Sequence, residues 1–541
     1  MKQMNYRTYL RVSLILSLGI FFTLALISSE VYGRLDMSRD KAFSISDFSR
    51  DLIEDLDAPL TISYYLSGRL ERRVPAIAEI RDLLYEYRRI SSGNISIEFI
   101  DPDEDASADP TAYGITPREL QVVENNEQTF AMVYSGIAVS YLDGLEVIPI
   151  IVDSSSLEYE LSTRILALSG GGYQSVGFVL GSSDEDFSRY GSLIQFLSQY
   201  YEIVPLLSGD IFPPDLDTAL VMGVSALTDG DLYQLEQMLL EGGGVLFAAD
   251  RIGVDLEQNL SPREIRGVPA FSFLEHHGIS IEPAWVLDGS NQVIPVQQQQ
   301  GQVLVNSFQA YPQWPRIIAS GVDQQHPLTA RFSGLDLFWA SPLTIRPDLI
   351  DNGARVLIRS SSDSVLDRTF STDPAAGQTR LLQSMEAEGS FPLLISYEGP
   401  LSAYYEDAPA ELGSLAFSDA RQSAASSRLL VIGDSDFPTD LFQINNSTYN
   451  ITFIQGVLEY LGGEEALLDL RTRGQRNTRL DALDNQMTRN SVLAFGEFVS
   501  LILIPGAVIA FALTRYILRR RASRKPGAVS GKKESGESQD E

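Results

Sequence analysis

The chain has 541 residues, a formal charge of −31 and no cysteine. Its length allows two or three domains, and 44% hydrophobic residues can fill real cores. The acidic balance argues against nucleic acid or anionic surfaces as partners of the bulk of the protein. The missing cysteine excludes disulfides, thiolate metal sites and cysteine nucleophiles.

Residues 1–11 contain Lys2, Arg7 and Arg11. The next stretch, 12–32 (VSLILSLGIFFTLALISSEVY), has one charge, Glu30, near its end and is long enough to span a bilayer. A cleaved signal peptide is the competing reading. The apolar run is long for one, and SSEVYG is a poor small-x-small cleavage site, so a retained anchor is expected.

Residues 33–167 read as a first, smaller α/β domain. Ser46 is placed to cap the helix DFSRDLIEDL. LTISYYLS alternates as a strand, Ile77, Ile80, Leu84 and Tyr87 have helical spacing, and ISIEFIDP is another strand, so a βαβ unit is expected. FAMVYSGIAVSY and LEVIPII follow as two strands around an Asp143-Gly144 turn. LSGGGYQ, 168–174, reads as a joint. Asp101, Asp103 and Asp105 have the spacing that opens a calcium loop, but Ala106 and Ala112 stand where that loop needs Gly and Glu. A solvated acidic loop is the expectation.

A second α/β domain is expected over 174–462. The strands SVGFVLG, EIVPLL, DTALVMGV and VLFAAD alternate with helices, the pattern of a doubly wound parallel sheet. Thr228 reads as an N-cap with Asp231 three residues on, and the glycines 242–244 as the C-cap. A β-rich insertion, about 251–425 with a glutamine tract, precedes LLVIGD, the last strand, and ITFIQGVLEYL, the closing helix. Neither GGG run forms a phosphate loop and no GxxxxGK[ST] occurs, so the chain does not itself hydrolyse ATP.

LLVIGDSDFPTD holds the sharpest catalytic candidate. Gly-Asp-Ser after an apolar strand resembles the nucleophile turn of the GDSL-type esterases. That family needs a histidine after the serine, whereas His276, His277 and His326 all precede Ser435. The expected role of Asp434 and Ser435 is to bond turn amides and end the strand. The sheet also resembles the glutamine-amidotransferase-like fold, whose cysteine nucleophile is missing here. His276 and His277 stand at a helix end and point apart, which argues against shared metal ligation and for surface or helix-terminal charge. No catalytic residue, cofactor or metal is expected.

Residues 463–490 connect to a second apolar run, 491–518 (SVLAFGEFVSLILIPGAVIAFALTRYIL), again long enough to span. Pro505-Gly506 marks a kink in it. Glu497 lies inside it, and an intramembrane carboxylate either meets a protein partner or lies close enough to the interface to be solvated; Glu497 is the partner-binding candidate. Arg519, Arg520, Arg521, Arg524 and Lys525 follow, in a tail, 519–541, whose composition is that of a disordered segment. The basic flanks put both termini in the cytoplasm and the bulk of the chain outside it.

The order of these pieces resembles the Gld-type, gliding-motility-associated auxiliary component of ABC-type transport systems. The likeness rests on RLDMSRDKAFSISDFSRDLIEDLDAPLTISYYLS, IEFIDPDED, LTDGDLYQLEQMLLEGGGVLFAAD, FLEHHGISIEPAWVLD and LLVIGDSDFPTD, and on the two-anchor layout. It implies a non-enzymatic accessory subunit in a bacterial inner membrane, beside a multi-span ABC permease and a separate cytoplasmic ATPase. Motility itself does not follow from it. The competing readings are an envelope solute- or glycan-binding protein without a transporter, and a GDSL-like hydrolase.

Overall fold

The first sheet is built from the expected βαβ unit. Strands β1 (Leu60–Leu66) and β2 (Ile95–Ile100) pair in parallel, Leu60 opposite Ile95. Helix α2 (Ala76–Ile90) connects them and buries Ile77, Ile80, Leu84 and Tyr87. Before them, α1 (Asp47–Glu54) starts where the Ser46 hydroxyl accepts the Ser49 amide at 3.1 Å. Strands β3 (Ser135–Tyr141) and β4 (Gly144–Ile148) complete the order β2-β1-β3-β4. The computed structural model describes residues 44–474, with breaks at 72, 106–107, 125–126, 171, 183–185, 257–258, 301–302, 331, 384–388, 416–419 and 446, together with 506, 511 and 513–515.

Two expectations in this region are corrected. FAMVYSGIAVSY is two strands: its first part, in Glu127–Val133, pairs back on Arg118–Glu124 as a separate hairpin, and only Ser135–Tyr141 enters the sheet. The turn residues between β3 and β4 are Leu142 and Asp143, because Gly144 already pairs with Tyr141.

Helix α3 (Leu157–Gly170) joins this sheet to the next. Its Leu157, Leu161 and Ile165 belong to the first core, while Tyr159 belongs to the core of the larger sheet. Gln455 donates to the Tyr159 hydroxyl at 2.7 Å across that junction.

The larger sheet has seven strands. In chain order they are β5 (Ser175–Leu180), β6 (Glu202–Leu207), β7 (Thr218–Met222), β8 (Gly244–Ala248), β9 (Ala354–Arg359), β10 (Pro392–Ser402) and β11 (Ser423–Ile432). Their order is β9-β10-β11-β8-β7-β5-β6. From β6 to β11 every pairing is parallel; β11-β10 and β10-β9 are antiparallel. The all-parallel expectation is therefore corrected to a mixed sheet. Residues 251–425 are β-rich but do not stand apart, since they supply two strands of the sheet itself.

Helices cover both faces. On one, α4 (Gly191–Leu197) and α7 (Tyr449–Leu461) bury Leu193, Leu197, Ile454 and Val457 against Phe178, Leu246 and Leu430. On the other, α5 (Asp229–Glu241) and α6 (Pro269–His276) bury Leu232, Leu235 and Phe273 against Val221, Phe247 and Val431. Strands apolar on both faces are what a sheet covered on both sides requires. Helix α8 (Glu465–Gly474) is tied to α7 by Arg471, whose Nε meets both Glu459 carboxylate oxygens at 2.9–3.0 Å.

Among the described residues no helix is long and apolar enough to cross a membrane. The expected span 12–32 lies outside them. So do Glu497 and the span 491–518, apart from helical residues 506, 511 and 513–515.

Candidate functional site

The five parallel strands, in spatial order β6-β5-β7-β8-β11, follow the order second-first-third-fourth-fifth in chain sequence. The chain thus leaves β5 in one direction and β7 in the other. In open α/β sheets, ligands bind outside the carboxyl ends of the strands at such a switch point. A cleft of about 550 Å³ lies there. It is lined by Ser182 after β5, Gly223 and Ser225 after β7, Asp250 after β8, and Ser435 and Asp436 after β11. A short hairpin, Ile252–Asp255 with Ser261–Glu264, forms one wall and brings Asp255 and Arg263 to the cleft.

The acids on its floor are placed by strand register. Val245 of β8 pairs with Leu429 of β11, and Ala248 with Ile432. Asp250 and Asp434 each stand two residues beyond that last pair, so VLFAAD and LLVIGD deliver their aspartates side by side. Asp436 joins them from the next turn. One carboxylate oxygen from each of Asp250, Asp434 and Asp436 lies within 4.8 Å of the others, and all three residues are buried.

Their partners differ. Asp434 is held entirely by backbone: Oδ1 accepts the amides of Asp436 at 2.8 Å and Phe437 at 3.0 Å, and Oδ2 that of Phe338 at 2.6 Å. Asp436 Oδ1 accepts from the Arg189 guanidinium at 3.1 Å. Asp250 Oδ2 accepts the Ser435 amide at 3.1 Å and the Ser435 hydroxyl. Asp250 Oδ1 is buried with no hydrogen-bond partner, although the residue is only 3% exposed. Burial, and after it the charges of Asp434 and Asp436, push the Asp250 carboxyl well above the usual carboxylate range. Asp434 is pushed the same way by burial and by Asp436, against the pull of its three amides.

The Gly-Asp-Ser turn therefore ends the strand, as read from the sequence, but Ser435 does so differently. Asp434 bonds the turn amides; Ser435 gives its hydroxyl and its amide to Asp250, 185 positions earlier in the chain. The glycine has a packing reason. A Cβ on Gly433 would lie 1.9 Å from the Ser341 carbonyl oxygen, and the Ser341 amide donates to Gly433 at 2.6 Å. No histidine partner of Ser435 emerges. His326 packs edge-on against Tyr460, and burial lowers its pKa to about 4.

His276 and His277 are the last residue and the C-cap of α6. The surface reading holds for His276, which is exposed, and fails for His277, which is 4% exposed with Nε2 3.3 Å from Glu236 Oε1. Asp101 spends both its oxygens on backbone amides, Gly68 at 3.0 Å and Asp103 at 2.9 Å, while Asp103 and Asp105 are exposed. That is a turn, with its acids turned to solvent.

The cleft residues that sequence reasoning missed are Asp250, Asp436, Arg189 and Arg263. The signal for Asp250 was present: two apolar strands each close on an aspartate, and adjacent parallel strands in register must bring such residues together.

The matched region coincides with this sheet. A family model described as an ABC-type uncharacterized transport system, an ABC transport auxiliary domain, matches residues 173–457, more than half of the chain. The chain belongs to this family. Residues 39–140, which hold the β1–β3 part of the first sheet, match a domain of unknown function, DUF7088. An uncharacterized protein of Borreliella burgdorferi is 22% identical over 522 residues, covering 95% of this chain and 98% of its own length. Its name assigns no activity. Family membership gives the protein an auxiliary, transport-associated role, and the cleft lies within the matched region.

Proposed function

We propose that the protein is a non-enzymatic auxiliary subunit of an ABC-type transport system, held in a bacterial inner membrane by residues 12–32 and 491–518. Its α/β body lies outside the cytoplasm, and it works beside a multi-span permease and a separate cytoplasmic ATPase. The observation that carries the reading is the family match over 173–457. Three further points support it. The chain has no phosphate-binding GxxxxGK[ST] motif, so energy comes from another subunit. Ser435 is engaged by Asp250, and the buried histidines have their neighbours elsewhere, at Glu236 and Tyr460. Basic residues flank both apolar runs on the side that stays in the cytoplasm.

A second reading, an envelope solute- or glycan-binding protein without a transporter, is favoured by the switch-point cleft alone. Deleting either apolar run separates the two. In the auxiliary reading, deletion abolishes recovery of a permease with the tagged protein. Unchanged recovery after deletion of either run contradicts the membrane-anchored subunit.

A further inference from the structure

The floor of the cleft has chemistry that the auxiliary role does not use. Three buried carboxylates lie together, and the Arg189 guanidinium meets one of them, Asp436. Arg251, the neighbour of Asp250, turns away and stacks 4.1 Å over the Phe271 ring. Like charges at this range in a buried site are strongly unfavourable unless a positive charge or a proton lies between them. The arrangement of the oxygens distinguishes these two solutions. Asp250 Oδ1 has no hydrogen-bond partner among the described residues, and the residue lines the cleft. Asp434 has three of its four lone-pair directions filled by amides, leaving one on Oδ2. Fixed backbone donors of this kind orient a carboxylate for ligation.

We propose that Asp250, Asp434 and Asp436 bind a hard divalent cation at the floor of the switch-point cleft. The ligand set is all oxygen, which selects calcium, magnesium or manganese over zinc and copper. Two oxygens on opposite sides of a calcium ion are about 4.6–5.2 Å apart, and on opposite sides of magnesium about 4.0–4.2 Å. All separations among the three carboxylate oxygens fall within 4.8 Å, a bound that both ions meet; three converging carboxylates favour calcium, because magnesium keeps its waters and is generally held by one or two. Calcium takes six to eight oxygens, and the open volume of the cleft above the acids admits the waters or the oxygen-bearing ligand that complete the shell. The inference goes beyond the transport reading and does not depend on it.

The test uses the full chain in detergent, stripped with chelator, and titrated with CaCl₂ or MgCl₂ alone by calorimetry, with thermal unfolding read in parallel. The expected result is one saturable site that prefers calcium. At one hundred times the dissociation constant, calcium multiplies the ratio of folded to unfolded protein about a hundredfold. Asp250→Asn removes the site and the response. This variant should fold, because an amide oxygen still accepts from Ser435 and the repulsion is relieved. Asp436→Asn is the second variant and loses the response in the same way. The proposal is overturned if the wild-type chain shows no saturable site at millimolar calcium. It is equally overturned if both variants keep the wild-type response, which would place the binding on the acidic surface at large.

Discussion

At the scale of single residues, burial decides which polar groups matter. Glu464, at the turn between α7 and α8, borders a second cavity of about 340 Å³ with Tyr200 and Tyr201. Burial, and after it the charge of Glu459, push its carboxyl from an ordinary 4.5 up to about 7. A raised carboxylate pKa means that the folded state binds the proton more tightly than the unfolded state. The associated stability is fully present below pH 4.5 and is lost as pH rises through about 7. Glu464→Gln should therefore flatten the pH dependence of thermal unfolding and leave the variant more stable at pH 8 by roughly 2 kcal/mol, allowing for partial exposure. A variant with the wild-type slope would remove Glu464 from the account.

Gly433 is the contrasting case, where backbone approach and not charge is decisive. Gly433→Ala forces Ser341 away, and the Ser341 hydroxyl accepts the Arg251 amide at 3.2 Å beside Asp250. A loss of about 3 kcal/mol or more in denaturant unfolding is expected. The sequence showed that this turn ends a strand. It did not show Asp250 as the partner of Ser435, because a hydrogen bond across 185 positions leaves no local pattern.

At the scale of elements, the local rules were read most directly where a cap or a period fixes the answer. Helix α5 begins with the expected capping box: the Thr228 hydroxyl accepts the Asp231 amide at 3.2 Å, and Asp231 accepts the Thr228 amide at 2.8 Å. Asp231 does more than cap. It also accepts the Ser208 hydroxyl at 2.6 Å and the Gly209 amide at 2.8 Å, tying the turn after β6 to α5. Thr228→Ala is expected to cost about 1 kcal/mol, as caps do. Asp231→Ala should cost roughly 3 kcal/mol, because it strands several donors in a buried place. Equal losses for the two variants, measured by chemical denaturation, would reduce Asp231 to an ordinary cap. What could not be read at this scale was the antiparallel edge. Strands β9 and β10 come only after the long stretch that follows β8, and their apolar runs fit an isolated β domain as well as the rim of the larger sheet.

At the scale of the molecule, two sheets share one helix. Leu161 and Ile165 of α3 pack into the first core and Tyr159 into the second, so the smaller α/β layer is fastened to the sheet that carries the cleft. The order second-first-third-fourth-fifth of the parallel strands then fixes where a ligand meets the protein, and register fixes which acids wait there. The alternation of strands and helices foretold the sheet; the cleft needed the strand order, which alternation alone does not supply. The same distinction applies to function. Order and spacing of motifs pointed to the transport-associated family, and the match over 173–457 bears out that level of description.

The auxiliary role is tested by the composition of the complex around the intact protein. The tagged full chain is purified from its native membrane in mild detergent and its partners are quantified by mass spectrometry. A multi-span permease and an ABC-type ATPase are expected in stoichiometric yield with it. Recovery of the intact, membrane-embedded chain without either would overturn the auxiliary role.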